Sequence, residues 1–331
     1  MTGVPPWVAS HGIVKLLALP ALLLMMPSFH AGSQISPANK DQAPESHRLS
    51  VDVNLVVLHA TVRDRQGRFV TDLRQQDFEV YEDGTPQHIR LFQQEDIPVT
   101  IGLVVDHSGS MRPKLREVTT AARSFVQFSN PGDEMFVVNF NEAVSMGLPD
   151  AIRFSNDSAA LGGAIWGASA FGETALYDAM VRALARLQEG RRDKKVLLVI
   201  SDGGDNASAH SLAQVTGIAE SSSAIIYTIG LFDEGDLDRN PGVLHHLARA
   251  TGGEAFFPVQ LNEVVAVCER IAREIRNQYT IGYVPDAAPR SGTYRTIRVV
   301  ARATGRGRLS VRTRAGYIAG GEAPGKNGVP K

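Results

Sequence analysis

Apolar positions along this chain fall into three regimes. Up to about Glu95 they alternate. "LSVDVNLVVLHATVRD" is rich in β-branched residues and reads as a strand, and "RDRQGRFV" supplies a glycine-centred turn. "DFEVYEDGTPQHIRLFQQE" sets Phe78 and Val80 against Ile89 and Leu91 across an Asp83-Gly84 hairpin signal. From Ile97 the period changes. "VTIGLVV", "DEMFVVNFN", "KKVLLVISDG", "AIIYTIGLF" and "GEAFFP" are short strand-like runs. Between them "RPKLREVTTAARSFVQFSN", "ETALYDAMVRALARLQ", "SLAQVTGIAESSS" and "PGVLHHLARAT" read as helices. In the first of these helices Leu115, Val118, Ala122, Phe125 and Val126 are expected to face inward. In a last helix, "LNEVVAVCERIAREI", the residues Leu261, Val264, Val265, Cys268, Ile271 and Ile275 share one face. After Asn277 alternation returns in "QYTIGYVP", "TYRTIRVVARA" and "GRLSVRTRAGYI".

Strands that alternate with helices predict a doubly wound, mainly parallel sheet covered on both faces, an α/β domain over residues 97–276. The flanking β segments, 48–96 and 277–318, have too few strands to stand alone. They are expected to pair as one small split all-β domain. Residues 319–331 read as a disordered tail.

The ends change the picture of where the chain works. Lys15 precedes "LLALPALLLMMP", an apolar run of the length of a signal-peptide core, and "AGS" follows at Ala31 to Ser33. Residues 1–33 are therefore expected to be a signal peptide, cut after Ser33 or less well after Ala31, and 34–47 a polar linker. The run is short for a membrane span, so a membrane is expected only if this segment stays uncleaved as an anchor. The expected location is secreted or periplasmic, in a bacterium. The single cysteine, Cys268, excludes an intramolecular disulfide and reads as a buried, inert thiol. Lys plus Arg number 34 against 35 Asp plus Glu, a net charge of −1, which argues against nucleic acid as a partner.

Chemistry gathers at predicted strand ends, where doubly wound sheets bind ligands. "IGLVV" runs straight into Asp106, His107, Ser108, Gly109 and Ser110. "GETAL" brings Thr174 to a helix start, and "VISDGGDN" places Asp202 straight after the "KVLLVI" strand. Two carboxylates and three hydroxyls are hard oxygen donors, suited to Mg²⁺ or Mn²⁺. Three of the five are neutral, which leaves an ion short of negative charge. A carboxylate from outside would complete the shell.

The order D-x-S-x-S, then a distant Thr, then a distant Asp before Gly resembles the metal-ion-dependent adhesion site of von Willebrand factor type A domains, and the segment from about Pro98 to Ile275 is similar to such a domain. The resemblance implies that Ser108 and Ser110 bind the metal directly and Thr174 directly or through water. It implies that Asp106 and Asp202 bind in either manner according to ligand state. The flanking β segments resemble those of an exported, acidobacterial-type subfamily of related A domains. The function so implied is divalent-metal-dependent protein–protein binding, as in adhesion or complex assembly, outside the cytoplasm, with a partner presenting an Asp or Glu carboxylate. A scaffold with a vestigial metal site is the alternative and a metal-dependent hydrolase the third reading. Enzyme signals fail individually: Ser108 lacks the leading glycine of G-x-S-x-G, no P-loop occurs, and Ser108 stands where a haloacid-dehalogenase-type phosphotransferase has its second Asp. Asp205 and Asn206 read as turn residues, and His107 as solvated. His245 and His246 read as helix surface and core, and Arg306, Arg308, Arg312 and Arg314 as a solvated strand face.

Overall fold

A computed structural model describes residues 55–94, 96–166, 170–232, 239–260, 262–286 and 290–320, all within one compact unit. The signal peptide, the linker and residues 321–331 of the expected tail lie outside the described residues, as does Leu261. In chain order the N-terminal β segment comprises β1 (Val56–Arg63), β2 (Phe78–Glu82), β3 (Thr85–Gln87) and β4 (Ile89–Gln93). The α/β segment follows with β5 (Val99–Asp106), α1 (Leu115–Phe128), β6 (Glu134–Phe140), β7 (Val144–Met146), α2 (Ser158–Trp166) and α3 (Leu176–Gln188). It continues through β8 (Lys194–Ser201), α4 (Leu212–Ser221), β9 (Ile225–Gly230), α5 (Pro241–Thr251), β10 (Ala255–Phe256) and α6 (Glu263–Arg276). The chain closes with β11 (Tyr279–Tyr283), β12 (Tyr294–Ala301), β13 (Ser310–Arg312) and β14 (Gly316–Ile318).

The α/β domain is doubly wound, as its alternating pattern predicts. Its six-stranded sheet has the order β10-β9-β8-β5-β6-β7 and is parallel except for the antiparallel edge strand β7. All eight residues of β5 and all eight of β8 are buried, which is why both read as continuous apolar runs rather than alternating ones. A Cβ on Gly102 would lie 2.5 Å from both the Leu197 and the Phe136 side chain, so glycine is what lets the two neighbouring strands pack over β5. The chain runs from β5 outward to β6 and then crosses to β8 on the other side. The winding therefore reverses beside β5, and the crevice at its carboxyl end is the topological switch point.

Three local differences from the sequence reading have simple causes. The helix expected from Arg112 begins as a 3₁₀ turn over Gly109–Lys114, with Pro113 inside it, and becomes α-helical only at Leu115. Val118, Ala122, Phe125 and Val126 are buried, whereas Leu115 is only half-buried. Two further elements, α2 and β7, carry no clear signal in the sequence: α2 holds adjacent glycines, Gly162 and Gly163, and β7 is three residues long.

The flanking segments form two antiparallel four-stranded sheets with the orders β13-β1-β11-β4 and β14-β12-β2-β3. Each mixes N-terminal with C-terminal strands: β11 lies between β1 and β4, and β2 lies against β12. Leu58, Phe78, Val80, Tyr279, Ile281 and Val299, drawn from both sheets, share one apolar core. The Asp83-Gly84 turn has positive φ at both residues, 47° and 81°, as a tight hairpin between β2 and β3 requires. Ala319, assigned by the sequence to the tail, is buried and donates to Thr293 O at 2.9 Å, so ordered pairing runs past Ile318.

Candidate metal centre

The five predicted residues stand on three loops around the switch-point crevice. Asp106 closes β5. Its side chain is fully buried, and its carboxylate accepts from Ser108 N at 2.8 Å and from Ser201 Oγ at 2.6 Å. Asp202, also buried, follows the last residue of β8. It accepts from Ser110 Oγ at 2.5 Å and from Gly204 N at 3.0 Å. Ser108 Oγ and Ser110 Oγ lie 3.1 Å apart. Asp106, Ser108, Ser110, Asp202 and Ser201 thus form one hydrogen-bonded set, joined between Asp106 and Ser108 through Ser108 N.

Thr174 reaches the crevice through its backbone. Gly109 N donates to Gly172 O at 3.1 Å, which ties the Thr174 loop to the Ser108 loop. Thr174 N donates to Asn206 Oδ1 at 2.8 Å and Thr174 O accepts from Asn206 N at 2.9 Å, which ties it to the Asp202 loop. Thr174 is buried, and its hydroxyl forms no hydrogen bond to the other four residues.

Burial is the main force on Asp106. Together with the nearby charge of Asp202 it pushes the Asp106 carboxyl up to about 6, against hydrogen bonds from Ser108 and Ser201 that pull it down. Two carboxylates meeting in a dry crevice, with hydroxyl oxygens and no sulfur or imidazole donor in the linked set, fit a hard divalent cation. The formal charge is low: among the described residues no group of three or more His, Cys, Asp or Glu is placed to hold a metal. Any ion here would depend on neutral hydroxyls for much of its shell.

The supporting residues were less legible. Ser201 is the one hydroxyl in the otherwise apolar end of "VLLVIS", and that break was the available signal for its contact with Asp106. Asp205 and Asn206 do more than turn the chain. Asp205 accepts from Tyr177 N at 3.3 Å and Ser208 Oγ from Asp178 N at 3.1 Å, so this loop caps the exposed N–H groups of α3 while Asn206 holds Thr174. Gly203 is required for a separate reason. It has φ 81°, and a Cβ there would sit 2.4 Å from Asn240 O at the start of α5.

His107 is not solvated. It is 1% exposed, and Nε2 lies 3.1 Å from Asn139 Oδ1, whose amide donates to Ala164 O. It therefore joins β5 to β6 and α2 beneath the site. Cys268 is buried, and its thiol is pushed up to about 12 by burial, in keeping with an inert side chain. His245 and His246 are both exposed on α5.

Fold and site together define a doubly wound α/β module that gathers oxygen atoms at its switch point. Residues 101–204 match the family model of the von Willebrand factor type A domain, and the chain carries a domain of that family. Domains of this family typically mediate protein–protein interactions. A von Willebrand factor type A structure from Catenulispora acidiphila is similar over 80% of this chain and 75% of its own, at 13% identity and a TM-score of 0.50. The conserved hypothetical protein BatB from Bacteroides thetaiotaomicron is similar over 54% of this chain and 97% of its own, at 17% identity and a TM-score of 0.43. Proximal thread matrix protein 1 from the mussel byssus, in a structure with a zinc-occupied MIDAS motif, is similar over 60% and 50%, at 17% identity and a TM-score of 0.47. At these identities the likeness is one of fold. Comparison with curated proteins gives no match.

Proposed function

We propose that this protein binds a partner protein through a divalent cation, Mg²⁺ or Mn²⁺, held by Asp106, Ser108, Ser110, Thr174 and Asp202. The observation that carries the reading is the hydrogen-bonded cluster that two separate loops form at the switch point, built on two buried carboxylates, with the Thr174 loop tied to both. A cation bound there supplies an electrophilic position for a carboxylate oxygen of an Asp or Glu on the partner. The chain's own contribution is orientation. Ser201 and Ser108 N fix the Asp106 carboxylate, Gly204 N fixes Asp202, and Asn206 fixes the Thr174 loop. The neutral hydroxyls keep the site short of negative charge, which favours an anionic group from outside. We place the interaction outside the cytoplasm, on the strength of the apolar run after Lys15.

The test is calorimetric titration of Mg²⁺ and Mn²⁺ into chelator-treated protein, residues 34–331, beside Asp106→Ala. Saturable binding in the wild type that vanishes in the variant is expected. If neither ion binds, even with acetate or an acidic peptide present to complete the shell, the metal-dependent reading fails and a scaffold with a vestigial site takes its place.

A further inference from the structure

A second polar feature lies away from the metal centre, where the split β domain meets the α/β domain. It is a cleft of about 640 Å³ between β1, β12 and the β13–β14 connection on one side and α5 with the Gly253–Ala255 turn on the other. Arg63, Arg249, Arg298, Arg312 and Arg314 line it, and Glu254 is the one acidic residue among the lining residues. Glu254 already accepts from Arg63, Arg312 and Arg270. Behind it the fully buried Glu274 accepts from Arg63 and Arg312.

The cationic excess sits on the other guanidiniums. Arg314 is held by three backbone carbonyls, those of Gly316, Ser222 and Glu220, with no hydrogen bond to a carboxylate. Arg249 and Arg298 are exposed and their guanidiniums form no hydrogen bond to the described residues, although that of Arg298 lies 4.0 Å over the Tyr81 ring. Three buried polar atoms of the lining residues, Arg63 Nε, Arg312 Nε and Thr313 Oγ1, have no hydrogen-bond partner among the described residues. Such groups stay unsatisfied at a cost unless something else binds them.

We infer that this cleft binds an acidic peptide segment, with Arg249 and Arg298 as its principal carboxylate-binding residues. Guanidiniums match carboxylates in a planar, two-pronged geometry. The cationic groups come from α5, β12 and β13 and its connection to β14, so they suit several oxyanions spaced along a chain better than one compact anion. This site is independent of the metal centre, and it would give the chain a second handle on an acidic partner.

The experiment is fluorescence anisotropy of a labelled peptide of alternating Glu and Val, at low salt and with chelator present so that the metal centre cannot contribute. Saturable binding is expected in the full chain and in Asp106→Ala alike. The Arg249→Ala/Arg298→Ala double variant should weaken binding about tenfold or more. Arg116→Ala/Arg182→Ala, which removes the same net charge from exposed positions elsewhere, should leave it unchanged. A Gln–Val peptide should not bind. The proposal is overturned if the Glu–Val peptide fails to bind, if the two double variants behave alike, or if tripolyphosphate binds at this site and the peptide does not.

Discussion

At the scale of single residues, the site divides into side chains that meet in the crevice and side chains that hold them there. The first group is legible because its spacing is local: Asp106, Ser108 and Ser110 break an apolar strand within five positions, and Asp202 breaks another. The second group is not, because each member acts on a residue far away in sequence. Ser201 reaches Asp106 across 95 positions, Asn206 reaches Thr174 across 32, and Asn139 reaches His107 across 32. Nothing near His107 in the sequence reveals that a polar partner lies beneath the sheet edge, so it reads as solvated. Asn206 offers the cleanest test of a supporting role, because it is exposed and its loss leaves Thr174 N open to water. Asn206→Ala should cost no more than about 1 kcal/mol of stability and weaken Mg²⁺ binding roughly tenfold. Calorimetry beside a denaturation curve measures both. Unchanged affinity would show that the Thr174 loop needs no tether.

At the scale of elements, type was more legible than boundary. Strands buried on both faces announce themselves as apolar runs, and the helices with strong one-sided patterns, α1, α3 and α6, are plain in the sequence. The short edge strand β7 and the glycine-containing α2 lack either signal. Pairing between distant elements is likewise invisible, and it changes the chemistry of residues that look ordinary. His59 on β1 is one such residue. Its Nδ1 lies 3.2 Å from Thr280 Oγ1 on β11. Burial foremost, then the charges of Lys194 and Arg314, depress its pKa from 6.5 to about 3. The folded state therefore keeps His59 neutral where the unfolded chain protonates it. The unfolded state binds the extra proton between pH 6.5 and about 3, so stability falls as pH drops through that window. The steepest slope from this group is about 1.4 kcal/mol per pH unit. Denaturant unfolding of the wild type and His59→Gln at pH 7, 6, 5 and 4 should show the two curves converging as the pH falls. Parallel curves would show that His59 is protonated in the native state.

At the scale of the whole molecule, the open question is how two domains with separate cores come to share one compact unit. The chain gives half of the answer: α6 runs from the α/β domain almost directly into β11, next to β1 in the first β sheet. A buried polar cluster gives the other half. Glu274 on α6 accepts from Arg63 on β1, Arg312 on β13, Thr61 Oγ1 on β1 and Tyr227 Oη on β9, so one carboxylate joins both domains. Arg312 read as a solvated strand face because its partners lie 58 and 38 positions away. Desolvating these charges is costly, and the cluster is tolerable only while it is complete. Glu274→Ala should therefore destabilise the protein by about 3–5 kcal/mol, since it leaves Arg63 and Arg312 to share Glu254 with Arg270. If the cluster is also what makes the two domains unfold together, the variant's denaturation curve should separate into two transitions, one following tyrosines of the β domain. Converting the cluster to apolar residues, with Arg63→Leu, Arg312→Met and Glu274→Leu together, should recover part of the lost stability because no charge is left buried and unpaired. A triple variant less stable than Glu274→Ala would mean that the ion pairs themselves hold the domains together, beyond the packing around them.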